Sequence, residues 1–177
     1  MTKFSRYLFS LFCLLIFPAG LIVAQSPTTV SARGHITAQV VTILAAVETS
    51  QMNFGRFSPG SQGGELILTP ESTISVLGSV WPGAGTHNAA SFNVTGDPGI
   101  AYTITLPAEP VTITHIGTAR TMTVEDWISV PAPIAGAGML QDGFQTVYIG
   151  ATLKVGTLND NPVGVYTGTY TVTFDFN

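Results

Sequence analysis

From Tyr166 to Phe176 every second position is apolar or lacks a side chain. Tyr166, Gly168, Tyr170, Val172, Phe174 and Phe176 alternate with Thr167, Thr169, Thr171, Thr173 and Asp175. A period of two puts these sets on opposite faces of an extended chain, so the pattern predicts one long strand with a dry and a wet face. A second alternation runs near the other end. Val30, Ala32, Gly34, Ile36, Ala38 and Val40 are interleaved with Ser31, Arg33, His35, Thr37 and Gln39. It predicts another amphipathic strand, whose dry face is made mostly of small residues. Val41 to Val47 is apolar almost throughout, the pattern of a strand covered on both faces.

Between these ends one rhythm repeats. Met52–Phe57 leads into a Ser58-Pro59-Gly60 turn, and short strands are predicted at 65–69, 73–81, 90–95, 100–106, 111–116, 121–130 and 145–155. Pro70, Pro82-Gly83, Gly96-Asp97-Pro98-Gly99, the loop 131–138 and the turn Asn159-Asp160-Asn161-Pro162 punctuate them. Strands recurring every 8–12 residues with Gly/Pro breaks, and no segment of helical period, predict an all-β antiparallel sandwich or barrel. About 8–10 strands in one domain, residues 25–177, is the expectation.

Residues 1–24 change the picture of where this domain resides. Lys3 and Arg6 precede an apolar run from Tyr7 to Phe17, and Pro18-Ala19-Gly20 leads to Ala24. That is the layout of a cleaved export signal, and the run is too short for a spanning helix. An exported product, passing through the periplasm to the cell surface or beyond, is expected. The one cysteine, Cys13, lies in this leader, so the remainder has no disulfide and is stabilised by burial alone. Beyond residue 24 only Arg33, Arg56, Arg120 and Lys154 face ten acidic residues. This balance argues against nucleic acid as a partner, since phosphate binding needs clustered cations. A surface rich in hydroxyls and poor in charge suits close packing of many copies, and equally suits an ordinary extracellular β-protein.

Candidate chemistry is sparse, and no catalytic role, metal or cofactor is assigned. His35, His87 and His115 fall on separate segments without the spacing of a zinc site. Glu125 and Asp126 are adjacent, so in a regular strand they point to opposite faces and share no acid–base task. Asn159-Asp160-Asn161 offers oxygens for calcium, but without further carboxylates it reads as a turn. Trp81 and Trp127 could stack on a sugar; packing at the core or rim is the commoner role.

The two amphipathic ends are natural partners for strand addition, in which backbone hydrogen bonds form a ladder and alternate side chains fill pockets. The candidate donor strand comprises Val30, Ala32, Gly34, Ile36 and Ala38. The C-terminal assembly strand comprises Gly164, Tyr166, Gly168, Tyr170, Val172, Phe174 and Phe176. Pairing of both as ordinary strands of one closed sandwich is the alternative. A small outer-membrane barrel is a third, though several segments are shorter than the roughly 9–11 residues a spanning strand needs.

Met52-Asn-Phe-Gly55, Phe92-Asn-Val-Thr-Gly96, Tyr102-Thr-Ile-Thr-Leu106, Val147-Tyr-Ile-Gly-Ala-Thr-Leu153 and Gly164-Val-Tyr-Thr-Gly-Thr-Tyr-Thr-Val172 occur in that order. On these the chain resembles a family of bacterial secreted domains, domain of unknown function 4402, across roughly residues 36 to 177. More distantly it is similar to chaperone–usher pilins and spore-coat-U-like domains. These end in an alternating strand with a glycine fourteenth from the end and a penultimate aromatic, positions held here by Gly164 and Phe176. The resemblance implies an incomplete immunoglobulin-like sandwich. It also implies a filament or fimbrial subunit joined to itself or related subunits by strand complementation, with a periplasmic chaperone and an outer-membrane usher as partners. The absence of the disulfide found in many such pilins is a departure from that pattern. A monomeric secreted or surface-displayed carbohydrate-binding module is the competing expectation.

Overall fold

The computed structural model describes residues 29–40 and 44–176. The expected leader, residues 1–24, lies outside the described residues, as do Val41, Thr42 and Ile43 of the apolar run. The chain divides after Gln39 into two units. In the first, residues 29–39 are all exposed and form no strand. Val30 is 87% and Ile36 97% exposed. The alternation there predicts a strand, but a strand needs a ladder to satisfy its backbone, and none forms among the described residues.

The second unit is all-β and antiparallel. Its strands are β1 (Ala45–Ser50), β2 (Phe57–Leu68), β3 (Ile74–Pro82), β4 (Ala90–Thr95), β5 (Ala101–Thr105), β6 (Val111–His115), β7 (Thr121–Val130), β8 (Gly138–Met139), β9 (Phe144–Val155), β10 (Tyr166–Thr167) and β11 (Thr173–Phe176). The long β9 is the spine. One edge pairs first with β4 and then with β2, while β7 runs along the other edge. The larger sheet continues outward to β1 beyond β4, β3 beyond β2, and β6 then β10 beyond β7. A three-stranded sheet, β11–β5–β8, forms the second layer of an immunoglobulin-like sandwich.

The inward side chains of β9, Val147, Ile149, Ala151, Leu153 and Val155, join two hydrophobic clusters along its length. One cluster holds Ala90, Val94, Tyr102, Ile104 and Leu140, and the small sheet closes it with Val172 and Phe174 packed alongside. The other holds Leu66, Val80, Met122 and Val124. Met52, Phe54, Phe57 and Tyr166 pack on it instead of a second sheet. The two halves of the sandwich are therefore covered unequally.

Several sequence expectations are corrected. The run ending at Val47 is not covered on both faces. Its described part lies in β1, which among the described residues pairs with β4 alone, and Val47 is 64% exposed. The Ser58-Pro59-Gly60 turn is instead the start of β2, whose register against β3 slips between Pro59 and Gly64. Ahead of β2, Asn53 makes an isolated bridge to Asn88. There the Asn53 side-chain carbonyl accepts the Gly55 N–H at 2.8 Å, turning a corner that aims Phe54 at the core.

Candidate functional site

The single long terminal strand is also corrected: it is two short strands on two sheets. β10 pairs with β6, placing Tyr166 opposite His115. β11 pairs with β5, placing Phe174 opposite Ile104 and Phe176 opposite Tyr102. Gly168 to Val172 lie between them in no ladder, and no backbone–backbone hydrogen bond engages them among the described residues. The alternation nevertheless survives in burial. Tyr166, Tyr170, Val172 and Phe174 are partly buried while the intervening threonines are exposed. One dry face thus spans the seam between the sheets.

Close approach explains both glycines of this segment. A Cβ on Gly164 would overlap His115, whose ring stacks edge-on against Tyr166 at 5.0 Å. His115 accepts the Gly117 N–H at Nδ1, so Nε2 carries the proton and donates to the Val163 carbonyl at 3.1 Å. A Cβ on Gly168 would sit 2.8 Å from the Thr112 carbonyl of β6.

Beside this segment lies a groove of about 1400 Å³. Val111, Ile113, Met122, Val124 and Leu153 form its floor, the corner at 51–59 one wall, and residues 162–170 the other. Glu48 and Arg56 stand among the polar lining groups. Small-molecule pockets are typically 300–1,000 Å³, so this space suits an elongated occupant better than a metabolite.

Trp127 lies at the junction of the two clusters, and a β-bulge puts it there. The β7–β9 register slips between Glu125 and Ile128, with Asp126 at φ 50°. The slip shifts the inward set from Met122 and Val124 to Trp127 and Ser129, leaving Ile128 and Val130 exposed. Trp127 then stacks on Tyr170 with ring centroids 4.7 Å apart. Trp127 Nε1 and the Tyr170 hydroxyl are both buried and have no hydrogen-bond partner among the described residues. Burial pushes the Tyr170 phenol well above its ordinary pKa, and the Glu48 carboxylate adds to the shift.

The bulge also overturns the expectation that Glu125 and Asp126 face apart. Both reach Lys154 Nζ, at 3.1 and 3.9 Å, and Glu65 is closer at 2.6 Å. The hydrogen bond that Lys154 donates to Glu65, then that to Glu125, holds its ammonium pKa above the usual value. This half-exposed cluster ties β2, β9 and β7 together across one face. Asp160 accepts from the Thr157 hydroxyl at 2.6 Å in the expected turn, which holds its carboxyl below the usual range. Among the described residues no group of three or more histidine, cysteine or carboxylate side chains is arranged to hold a metal ion. No described helix is long and apolar enough to cross a membrane.

Residues 44–176 match the family described as a domain of unknown function, DUF4402. The chain belongs to this family. No curated protein and no solved structure matches it. The groove, the bulged β7 and the terminal segment all lie within the DUF4402 region, whereas Val30, Ala32, Gly34, Ile36 and Ala38 precede it. Periodicity alone could not reveal the bulge, because Ile128 and Val130 continue the apolar pattern on the wrong face.

Proposed function

We propose that this DUF4402 chain is a non-enzymatic structural subunit of a bacterial surface filament or fimbria, assembled by β-strand complementation. The observation that carries the reading is an open apolar groove in a chain that also bears an exposed, ladderless alternating segment. Residues 30–38, fully extended, span about 30 Å. Their dry face, Val30, Ala32, Gly34, Ile36 and Ala38, is small enough to lie over the floor of Val111, Ile113, Met122 and Val124. Gly168, Thr169 and Tyr170 line one wall, and the backbone from Gly168 to Val172 is free to form the new ladder. Donor and groove are different surfaces, so the contact between copies is head-to-tail and extends into a filament.

Export through the leader at residues 1–24 would bring the subunit to the periplasm. A chaperone would cover the groove there until an outer-membrane usher exchanges it for the strand of a neighbour. Such burial shields an apolar surface that would otherwise drive aggregation. The test is to express the protein without residues 25–39 and inspect it by electron microscopy. The reading predicts no filaments; filaments of normal length would overturn it.

One observation favours a second reading, a monomeric carbohydrate-binding module. Trp81 is 60% exposed on β3, its ring over Gly60, as a sugar-stacking platform requires. Glycan binding that disappears in Trp81→Ala, in a protein that stays monomeric, would support that module instead.

A further inference from the structure

The outer face of the β2–β3 hairpin carries an open aromatic ring and an uncommitted cation close together. Alternation along β3 turns Val80 into the core and Trp81 outward, where it is 60% exposed. Its ring lies across Gly60 of β2: a Cβ added there would sit 2.6 Å from the indole Cζ3 and would also overlap Ser79 Oγ. A side chain at position 60 would push the ring off the sheet. One indole face is therefore seated on bare backbone, and the other is open to solvent.

Arg56 is the second group. Ser58 stands opposite Trp81 in the ladder, and the Gly83 N–H donates to the Arg56 carbonyl at 2.7 Å, which carries the pairing on past Phe57. Phe57 packs on the core, so Arg56 and Ser58, both exposed, share the outer face with Trp81. The Arg56 stem leans the other way from the ring, its Cγ 3.6 Å from where a Cβ on Gly85 would be. Diagonal positions across such a ladder lie about 7–8 Å apart, so ring and guanidinium flank a gap floored by Ser58 and the bare Gly83. No hydrogen bond or ion pair engages that guanidinium among the described residues, whereas Lys154 is held by three carboxylates and Arg120 acts on Asp160.

We propose that Trp81, Arg56 and Ser58 form a binding site for a sugar that carries a carboxylate, a uronic acid residue. The C–H face of the pyranose ring lies on the open indole face, the guanidinium fork takes the carboxylate, and the Ser58 hydroxyl meets a ring hydroxyl. A single cation on a chain of net charge −4 suits one carboxylate; a phosphate backbone needs clustered cations. This rests on the sugar-stacking reading of Trp81, not on strand complementation, and adds to it a ligand class and two further contacts.

The test titrates the protein with trigalacturonate and with its neutral counterpart, galactotriose, following the two indole N–H signals by NMR. The Trp81 signal should move and that of the buried Trp127 should not. Trigalacturonate should bind about three- to tenfold more tightly at low salt, and the preference should shrink at about 0.5 M salt. Arg56→Gln should abolish the preference while leaving galactotriose binding unchanged, Arg56→Lys should restore part of it, and Trp81→Ala should lose both sugars. Equal affinity for the two sugars, or a preference that survives Arg56→Gln, would overturn the carboxylate assignment and leave sugar stacking intact. Binding of neither sugar, or a response at Trp127 alone, would overturn both. Tighter binding of adenosine monophosphate than of trigalacturonate would make this a nucleotide site and overturn the proposal.

Discussion

Tyr102 shows how much one side chain contributes at the residue scale. It is fully buried, its ring meets Phe174 with centroids 6.1 Å apart, and its hydroxyl donates to Gln145 Oε1 at 2.7 Å. Burial pushes the phenol pKa up from 10.0 to about 12. The raised value favours the protonated form in the fold, so its contribution is fully present below pH 10 and is lost as pH rises through about 12. Unfolding by denaturant at successive alkaline pH values should show a loss on the order of 2 kcal/mol across that window. Tyr102→Phe should flatten the fall; a slope unchanged by the substitution would assign it to other groups. Asn161 tests the polar side of the core. It is 4% exposed, accepts the Gly156 N–H and donates to the Thr121 carbonyl at 2.8 Å. Asn161→Ala strands both partners and should cost about 2–4 kcal/mol in denaturant midpoint measurements.

At the scale of elements, the sequence was most legible where one periodicity met one ladder. β4 at 90–95 and β7 at 121–130 begin and end where alternation and turn residues put them. It was least legible where a ladder is shared or broken. The terminal alternation from Tyr166 to Phe176 is real in burial, yet it crosses from the larger sheet to the smaller one. Side-chain period reports which face is dry and is silent about which strand lies alongside. The bulge at Asp126 was invisible for a related reason: apolar residues occupy both phases after it. The groove was not predicted in location, because one wall is the corner at 51–59, which has no periodicity, and only the fold brings it opposite residues 162–170. Gly168, by contrast, was marked by its place on the dry face, and its contact with β6 explains it. Gly168→Val should detach the terminal segment from β6, exposing Tyr166 and raising the susceptibility of residues 164–172 to proteolysis. Cleavage at the wild-type rate would contradict that docking.

On the scale of the whole molecule, the unequal cover of the two core clusters is the property that matters. One half of the sandwich is closed by β11, β5 and β8, while the other is closed by a corner and one tyrosine. A chain of weak charge with a single cysteine must bury apolar area to be stable, and here part of that area faces a groove. Completion by a strand from outside would remove it from water and supply a ladder for Gly168 to Val172. Completed subunits should therefore melt at a higher temperature than dispersed ones, and the difference should grow with protein concentration. Amide hydrogen exchange, read segment by segment on dispersed and on assembled protein, tests this most directly. The account predicts that residues 30–38 and 168–172 are unprotected when dispersed and become protected together on assembly. Assembly in which residues 30–38 continue to exchange freely would contradict it.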